Sequence, residues 1–242
     1  MIVTDFLSEI SDAFFPPSCI ACSDVLASVQ EKGFCRECAQ SILFITQSRC
    51  PVCGIIFPDS PASDHLCGEC LEVRPHYAFA RAALVYEGII HDAIHRFKYG
   101  RNLTCGRVLA DLLADFDFPD MDWSVFDLIL PVPLHIRRLR ERGFNQSLIL
   151  ARALGKKHGV DVDFSLLKRR KLTLTQTGLD KKEREKNIKG AFVVSHPERL
   201  RGKNIILVDD VYTTGATINE CAKTLKKAGS AQVAVITLAR VL

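Results

Sequence analysis

Apolar residues recur along this chain in two rhythms, and the rhythm changes with position. Near the start, Val3, Phe6, Leu7, Ile10 and Phe14 share one helical face, and Pro16-Pro17 closes a helix predicted over residues 3–15. Residues 77–86 read as a strand, 88–98 as a helix, and 104–116 as an amphipathic helix with Val108, Leu109, Leu112, Leu113 and Phe116 inward. Residues 126–132 form a second apolar strand, closed by Pro131 and Pro133. A polar stretch at 134–143 reads as a loop, and a helix runs from it to about residue 158. Residues 192–194 make a short strand. Ile205, Ile206, Leu207 and Val208 have the continuous apolarity of a strand buried on both faces. Ile218, Cys221, Ala222, Leu225 and Ala228 return to helical spacing up to Gly229, and residues 232–238 supply a last strand. Alternating strands and helices from residue 77 onward predict an α/β fold, a parallel sheet flanked by helices.

The stretch before residue 77 breaks this pattern. Of ten cysteines, eight fall in four Cys-x-x-Cys pairs before residue 71. Cys19/Cys22 and Cys35/Cys38 are separated by twelve residues, Cys50/Cys53 and Cys67/Cys70 by thirteen. The halves look like an internal repeat. Each has zinc-ribbon spacing, two knuckles clamping one tetrahedral Zn²⁺ through four sulfurs. Four thiolates leave no open position, so two structural zincs are expected rather than a catalytic one. A cross-braced pairing, first knuckle with third and second with fourth, fits the spacing too. The start of the sequence carries acids and no basic n-region, which reads as no secretory signal, and no apolar run approaches the ~20 residues of a membrane span. The cysteines are therefore read as metal ligands in a reducing cytoplasm rather than as disulfides. The expected organisation is a helix over 1–17, a double zinc ribbon over 18–75 and an α/β domain over 76–242.

Candidate chemistry gathers at the end of the 205–208 strand. Asp209 and Asp210 follow it, then Thr213, Thr214, Gly215, Ala216 and Thr217, then a helix. Loop amides and a helix N-terminus favour a phosphate, and threonine hydroxyls add donors. Gly215 lets the backbone approach closely. The carboxylates would repel that phosphate; they suit a vicinal diol or Mg²⁺. A second feature is the 134–143 stretch, with four arginines in ten residues, suited to a polyanion. A third is the polar run 173–192, whose composition suits a mobile lid. The net charge of +4 is too mild to dictate a nucleic-acid partner by itself.

The run LVDDVYTTGAT resembles the 5-phosphoribosyl-1-pyrophosphate (PRPP) signature of type I phosphoribosyltransferases. The resemblance implies that fold for the larger domain. It places the ribose hydroxyls on Asp209 and Asp210, and the 5′-phosphate on Thr213, Thr214, Gly215, Ala216 and Thr217. The whole order of a four-knuckle module, FKYG, PVPLHIRRLRERGFNQ, RRKLTLTQTGLDKKEREKNIKGAF and VDDVYTTGAT is similar to the ComF family of bacterial competence proteins. That likeness implies a role in DNA uptake, with single-stranded DNA and uptake proteins as partners. It assigns Arg137, Arg142, Gly143, Asn145 and Gln146 to a pyrophosphate loop, and Gln176, Arg184 and Asn187 to the lid. Lys98 falls in a further block with no evident role. Thr213 stands where 6-oxopurine phosphoribosyltransferases carry an aspartate base, and a hydroxyl is a poor base near neutrality, which disfavours purine salvage. Two readings follow. In one the chain binds PRPP without turnover and contacts DNA. In the other it is a transferase: Mg²⁺ bridges the pyrophosphate and the ribose hydroxyls held by Asp209 and Asp210, Arg137, Arg142 and Arg184 steady the leaving charge, and a nitrogen acceptor attacks.

Overall fold

The structure, a computed structural model, describes residues 17–26, 32–57, 63–100, 102–172 and 181–242; the side chains of Lys181, Lys182, Arg184 and Glu185 stand outside that description. The helix expected over 3–15 and Gln176 lie outside the described residues.

Four parallel strands form the main sheet in the order β1-β6-β5-β2. They are β1 (Phe79–Val85), β2 (Leu128–Pro131), β5 (Asn204–Tyr212) and β6 (Gln232–Arg240). Side chains alternate across the central strand β5. Ile206 and Val208 face a core built with α3 (Gly88–Tyr99), α4 (Leu103–Asp115) and α6 (Gln146–His158). Ile205 and Leu207 face the other, built with α8 (Ala216–Lys227) through Ile218, Cys221, Ala222 and Leu225. Burial on both faces explains why the strand sequence is apolar without alternation.

Local signals set the helix starts. Asn102 accepts from the Cys105 amide at 3.0 Å to cap α4, and Asn145 accepts from the Ser147 amide at 3.2 Å to cap α6. Gly106 on α4 has no Cβ because Phe97 of α3 occupies that space.

Three elements differ from the sequence expectation. The arginine-rich stretch is a helix, α5 (Ile136–Arg142), ended by Gly143 in the left-handed region. Arginine is a good helix former, so a basic run with a glycine stop supports a helix as readily as a loop. β4 (Phe192–Val194) stays outside the main sheet and pairs antiparallel with β3 (Leu167–Arg169). The polar lid stretch contains α7 (Lys181–Ile188), whose Ile188 is buried.

The cysteine module is built into the sheet. Residues between its halves cover the edge of β1, where Val85 donates to the Leu43 carbonyl and Ile45 to the Ala83 carbonyl. An edge strand so covered cannot recruit another chain. α1 (Arg36–Gln40) carries Cys38 and α2 (Gly68–Glu72) carries Cys70. The first half packs on α3 and α4 through Ile20, Leu26, Phe34 and Ile42. The second half joins the α8 core through Cys50, Val52, Cys53 and Cys70. Arg49 and Arg81 meet Asp120 at 2.6 and 3.4 Å, and Arg81 also donates to the Pro51 carbonyl.

Candidate functional site

The site follows from unequal strand lengths. β2 pairs with β5 only as far as Pro131 against Val208, while β6 stays paired with β5 to Tyr212 against Arg240. Past Val208 one flank of β5 loses its neighbour. The acids therefore stand inside a strand that runs on to Tyr212, not at its end as the sequence suggested. A cavity of about 540 Å³ opens there, beyond the carboxyl ends of the strands, as open α/β sheets favour.

Asp209 and Asp210 form its floor. Ser147 Oγ donates to Asp209 Oδ1 at 2.9 Å, and the Asp210 amide donates to the same oxygen at 2.9 Å. Lys98 Nζ contacts Asp210 Oδ1 at 2.9 Å, with 19 % of the lysine side chain and 12 % of the aspartate side chain exposed. Burial and the adjacent Asp210 charge push Asp209 up to about 7, against the pull of Lys98 and Ser147. Burial works to lower Lys98, but the Asp210 and Asp209 charges outweigh it and hold the ammonium above its ordinary range.

The phosphate-type loop forms one wall. Thr213, Gly215, Ala216 and Thr217 line the cavity. Thr214 does not; its hydroxyl is buried with no partner among the described residues. Gly215 has φ +72, and a Cβ there would strike the Tyr212 ring and hydroxyl. α8 begins directly after it with no side-chain cap, so its first-turn amides keep their donor capacity. Tyr212 is fixed from below: its hydroxyl pairs with that of Tyr77 at 2.7 Å, and the Arg240 guanidinium lies 4.6 Å from its ring centre. Arg240 in turn donates to the Cys53 carbonyl, a backbone group of the second cysteine cluster.

The opposite wall is basic and aromatic. Arg138 and Arg142, one helical turn apart on α5, both line the cavity with Arg169 of β3. Burial lowers Arg142 from its ordinary value while Asp210 opposes the shift, and its guanidinium lies 5.3 Å from the Tyr99 ring centre. Arg137 faces away. Its side chain is 68 % exposed and pairs with Glu141 at 3.2 Å. Gln146 is 1 % exposed, lines the cavity, and leaves Nε2 without a partner among the described residues. A buried amide donor of this kind is costly unless a ligand accepts from it. Tyr86, His91, His95 and Tyr99 complete the lining, and the last three are spaced one turn apart on α3. Arg184 belongs to α7, which is tied to α8 where the Gly190 amide donates to Glu220 Oε1 at 2.8 Å.

Sequence reasoning reaches Arg138 and Arg169 only as members of the basic runs 137–142 and 168–171, does not single out Ser147, and leaves Lys98 without a role. The four-residue spacing of Arg138 and Arg142 was available as a signal, once the stretch is taken as a helix.

The eight paired cysteines gather as two clusters, Cys19/Cys22/Cys35/Cys38 and Cys50/Cys53/Cys67/Cys70, with all four sulfurs of each within 4.8 Å. The pairing is consecutive, which removes the cross-braced alternative. The sulfurs of Cys22 and Cys35 stand 3.7 Å apart, those of Cys53 and Cys67 3.6 Å. A tetrahedral ion with ~2.3 Å bonds to sulfur requires roughly 3.8 Å between ligands. Though burial raises them, backbone amides hold Cys19 at about 6 and Cys50 at about 7. Burial and neighbouring thiols push Cys38 and Cys70 well up. A divalent cation is what lets four such sulfurs ionise together. His65 stacks on Phe57 at 3.9 Å and belongs to neither cluster.

Comparison with known proteins agrees with this construction. Residues 10–71 match the double zinc ribbon domain and residues 142–242 the phosphoribosyl transferase domain. Fold and site together define a phosphoribosyltransferase-type protein fused to a double zinc ribbon. The DNA utilization protein YhgH of Salmonella typhimurium is 33 % identical over 94 % of this chain and 98 % of its own. Competence protein F of Haemophilus influenzae is 32 % identical over the same shares, and competence protein ComFC of Bacillus subtilis 29 % identical over 87 % and 85 %. The chain belongs to the ComF family of competence and DNA utilization proteins. Among solved structures, an adenine phosphoribosyltransferase from Thermoanaerobacter pseudethanolicus covers 62 % of this chain and 85 % of its own at 17 % identity, with a TM-score of 0.36.

The raised Asp209 has a consequence for stability. The unfolded group titrates near about 3.9, the folded one near 7. Between those values the folded state holds a proton that the unfolded state has released, so stability falls as pH rises through the window and levels off above it. Asp209→Asn is expected to exceed the wild type at about pH 8, by on the order of 1–3 kcal/mol, with the gap closing toward about pH 4. Urea midpoints across that range check it; a gap that does not change with pH contradicts it.

Proposed function

We propose that this chain binds PRPP and acts in the handling of DNA taken up by the cell. Asp209 and Asp210 accept from the ribose hydroxyls. Thr213, Gly215, Ala216 and Thr217 take the 5′-phosphate, with Thr214 shaping the loop behind them. Arg138 and Arg142 face the pyrophosphate, which Mg²⁺ accompanies; the side chain of Arg184, the arginine expected from the lid, lies outside the described residues. The observation that carries the reading is the meeting of acid pair, helix-start loop and inward arginines in one cavity. The unpartnered Gln146 amide in its wall supports it. Zinc fills the two cysteine clusters and holds the module folded. Among the described residues all ten cysteines are free and no helix is long and apolar enough to cross a membrane. The two metal-type cysteine clusters suit work in a reducing cytoplasm.

Single-stranded DNA is the partner this reading favours, because the named relatives are competence and DNA utilization proteins. A surface beside the cavity fits it. An apolar groove of about 810 Å³ runs between α4, α5, α6 and β3, bordered by Arg107, Arg152 and Lys168. Phe164 on its rim is 60 % exposed with the Arg152 guanidinium 5.9 Å from the ring centre. An exposed ring among cations offers stacking to bases and charge to phosphates.

Three measurements test this. Metal analysis of the purified chain is expected to return two zinc ions per chain, and one or none contradicts the double site. Calorimetry with PRPP and Mg²⁺ is expected to show saturable binding that Asp209→Asn with Asp210→Asn abolishes; heats that survive the double substitution place the ligand elsewhere. Single-stranded DNA binding is expected to weaken steeply with added salt, and Phe164→Ala to cost about 1–3 kcal/mol of it. An affinity flat in salt removes the DNA surface.

A further inference from the structure

The FKYG stretch, residues 97–100, is explained residue by residue at the cavity. Phe97 is fully buried and stacks on Phe144 with ring centres 5.2 Å apart, which anchors the end of α3 in the core. Lys98 turns its ammonium onto Asp210 Oδ1 at 2.9 Å. Tyr99 presents its ring to the Arg142 guanidinium, and Gly100 ends the helix. The lysine is therefore aimed by packing and is not a surface cation that has drifted onto an acid.

Two neighbouring carboxylates shut away from water repel each other, and a nearby cation must offset that charge. In many sites of this chemistry the cation is a bound divalent ion. Here the chain supplies its own. Lys98 takes one oxygen of Asp210, and the Ser147 hydroxyl and Asp210 amide take one oxygen of Asp209. Among the described contacts each carboxylate keeps its second oxygen for a ligand. Two such oxygens on the cavity floor suit the two hydroxyls of a vicinal diol.

We propose that Lys98 is a positioning residue for the ribose half of the ligand: it fixes Asp210 and compensates the acid pair, so that the diol is held without a divalent ion. The proposal rests on the ribose-phosphate reading of the cavity. It assigns any Mg²⁺ requirement to the pyrophosphate and none to the sugar.

The test separates the two halves of the ligand in the full, zinc-loaded chain. Ribose 5-phosphate is titrated with and without millimolar Mg²⁺, and PRPP with Mg²⁺ serves as the reference. Wild type is expected to bind ribose 5-phosphate with the same affinity in both buffers. Lys98→Met is expected to weaken Mg²⁺-free binding by about tenfold or more, with Mg²⁺ restoring much of it. Lys98→Gln, which leaves a polar head near Asp210 without the charge, gives the same pattern should the methionine variant fail to fold. A merely structural lysine would lower affinity equally in both buffers, and that result overturns the proposal. So does a wild-type affinity for ribose 5-phosphate that rises about tenfold or more with Mg²⁺. If PRPP binds while ribose 5-phosphate needs Mg²⁺, only the role of Lys98 falls. If neither ligand binds, the ribose-phosphate reading falls and takes this role with it.

Discussion

Two acidic side chains inside a strand packed on both faces must be accommodated by the protein around them, and much of the site can be read as the answer to that demand. Asp209 and Asp210 sit on β5 where the sheet still pairs on one side and has opened on the other. Lys98 comes from α3, Ser147 from the start of α6, and Arg142 from the end of α5, so three helices converge on one pair of carboxylates. The opening admits a ligand, and the convergence keeps the acids ionisable without flooding them with solvent. A sheet whose strands all stopped together would give neither.

The phosphate side obeys a different constraint, close approach. Gly215 is needed because the Tyr212 ring lies directly against it, and that ring is held by Tyr77 and Arg240. The loop is thus a thin layer of backbone supported by a rigid aromatic floor. Anion recognition by amides depends on such rigidity, since loose donors lose much of their electrostatic advantage to reorganisation.

How much of this was legible beforehand depended on the range of the interaction. The apolar run 205–208, the acid pair and the glycine-bearing loop are contiguous, so their arrangement could be read directly. Cysteine spacing showed two ligand sets but not their pairing, which depends on how the knuckles pack on α3, α4 and α8. The arginine helix is not legible as one, because its polarity fits a loop as well although arginine has good helix propensity. Arg137 and Arg142 looked equivalent in sequence; the helix turns one toward Glu141 and the other toward Tyr99. Lys98 was unreadable, because its partner lies more than a hundred residues away and no local pattern links them.

The second ribbon does more than cover the protein. Its Cys53 carbonyl is gripped by Arg240, and its Val52 carbonyl accepts from the Ala80 amide of β1 at 2.7 Å. Among the described residues the first ribbon has no such connection to the loop; its apolar residues rest on α3 and α4. The two metal modules, alike in sequence, are therefore unequal as building blocks. One closes the main core over α3 and α4 with Ile20, Leu26, Phe34 and Ile42, while the other is a foundation stone, and removing it would take the anion cradle's footing away as well.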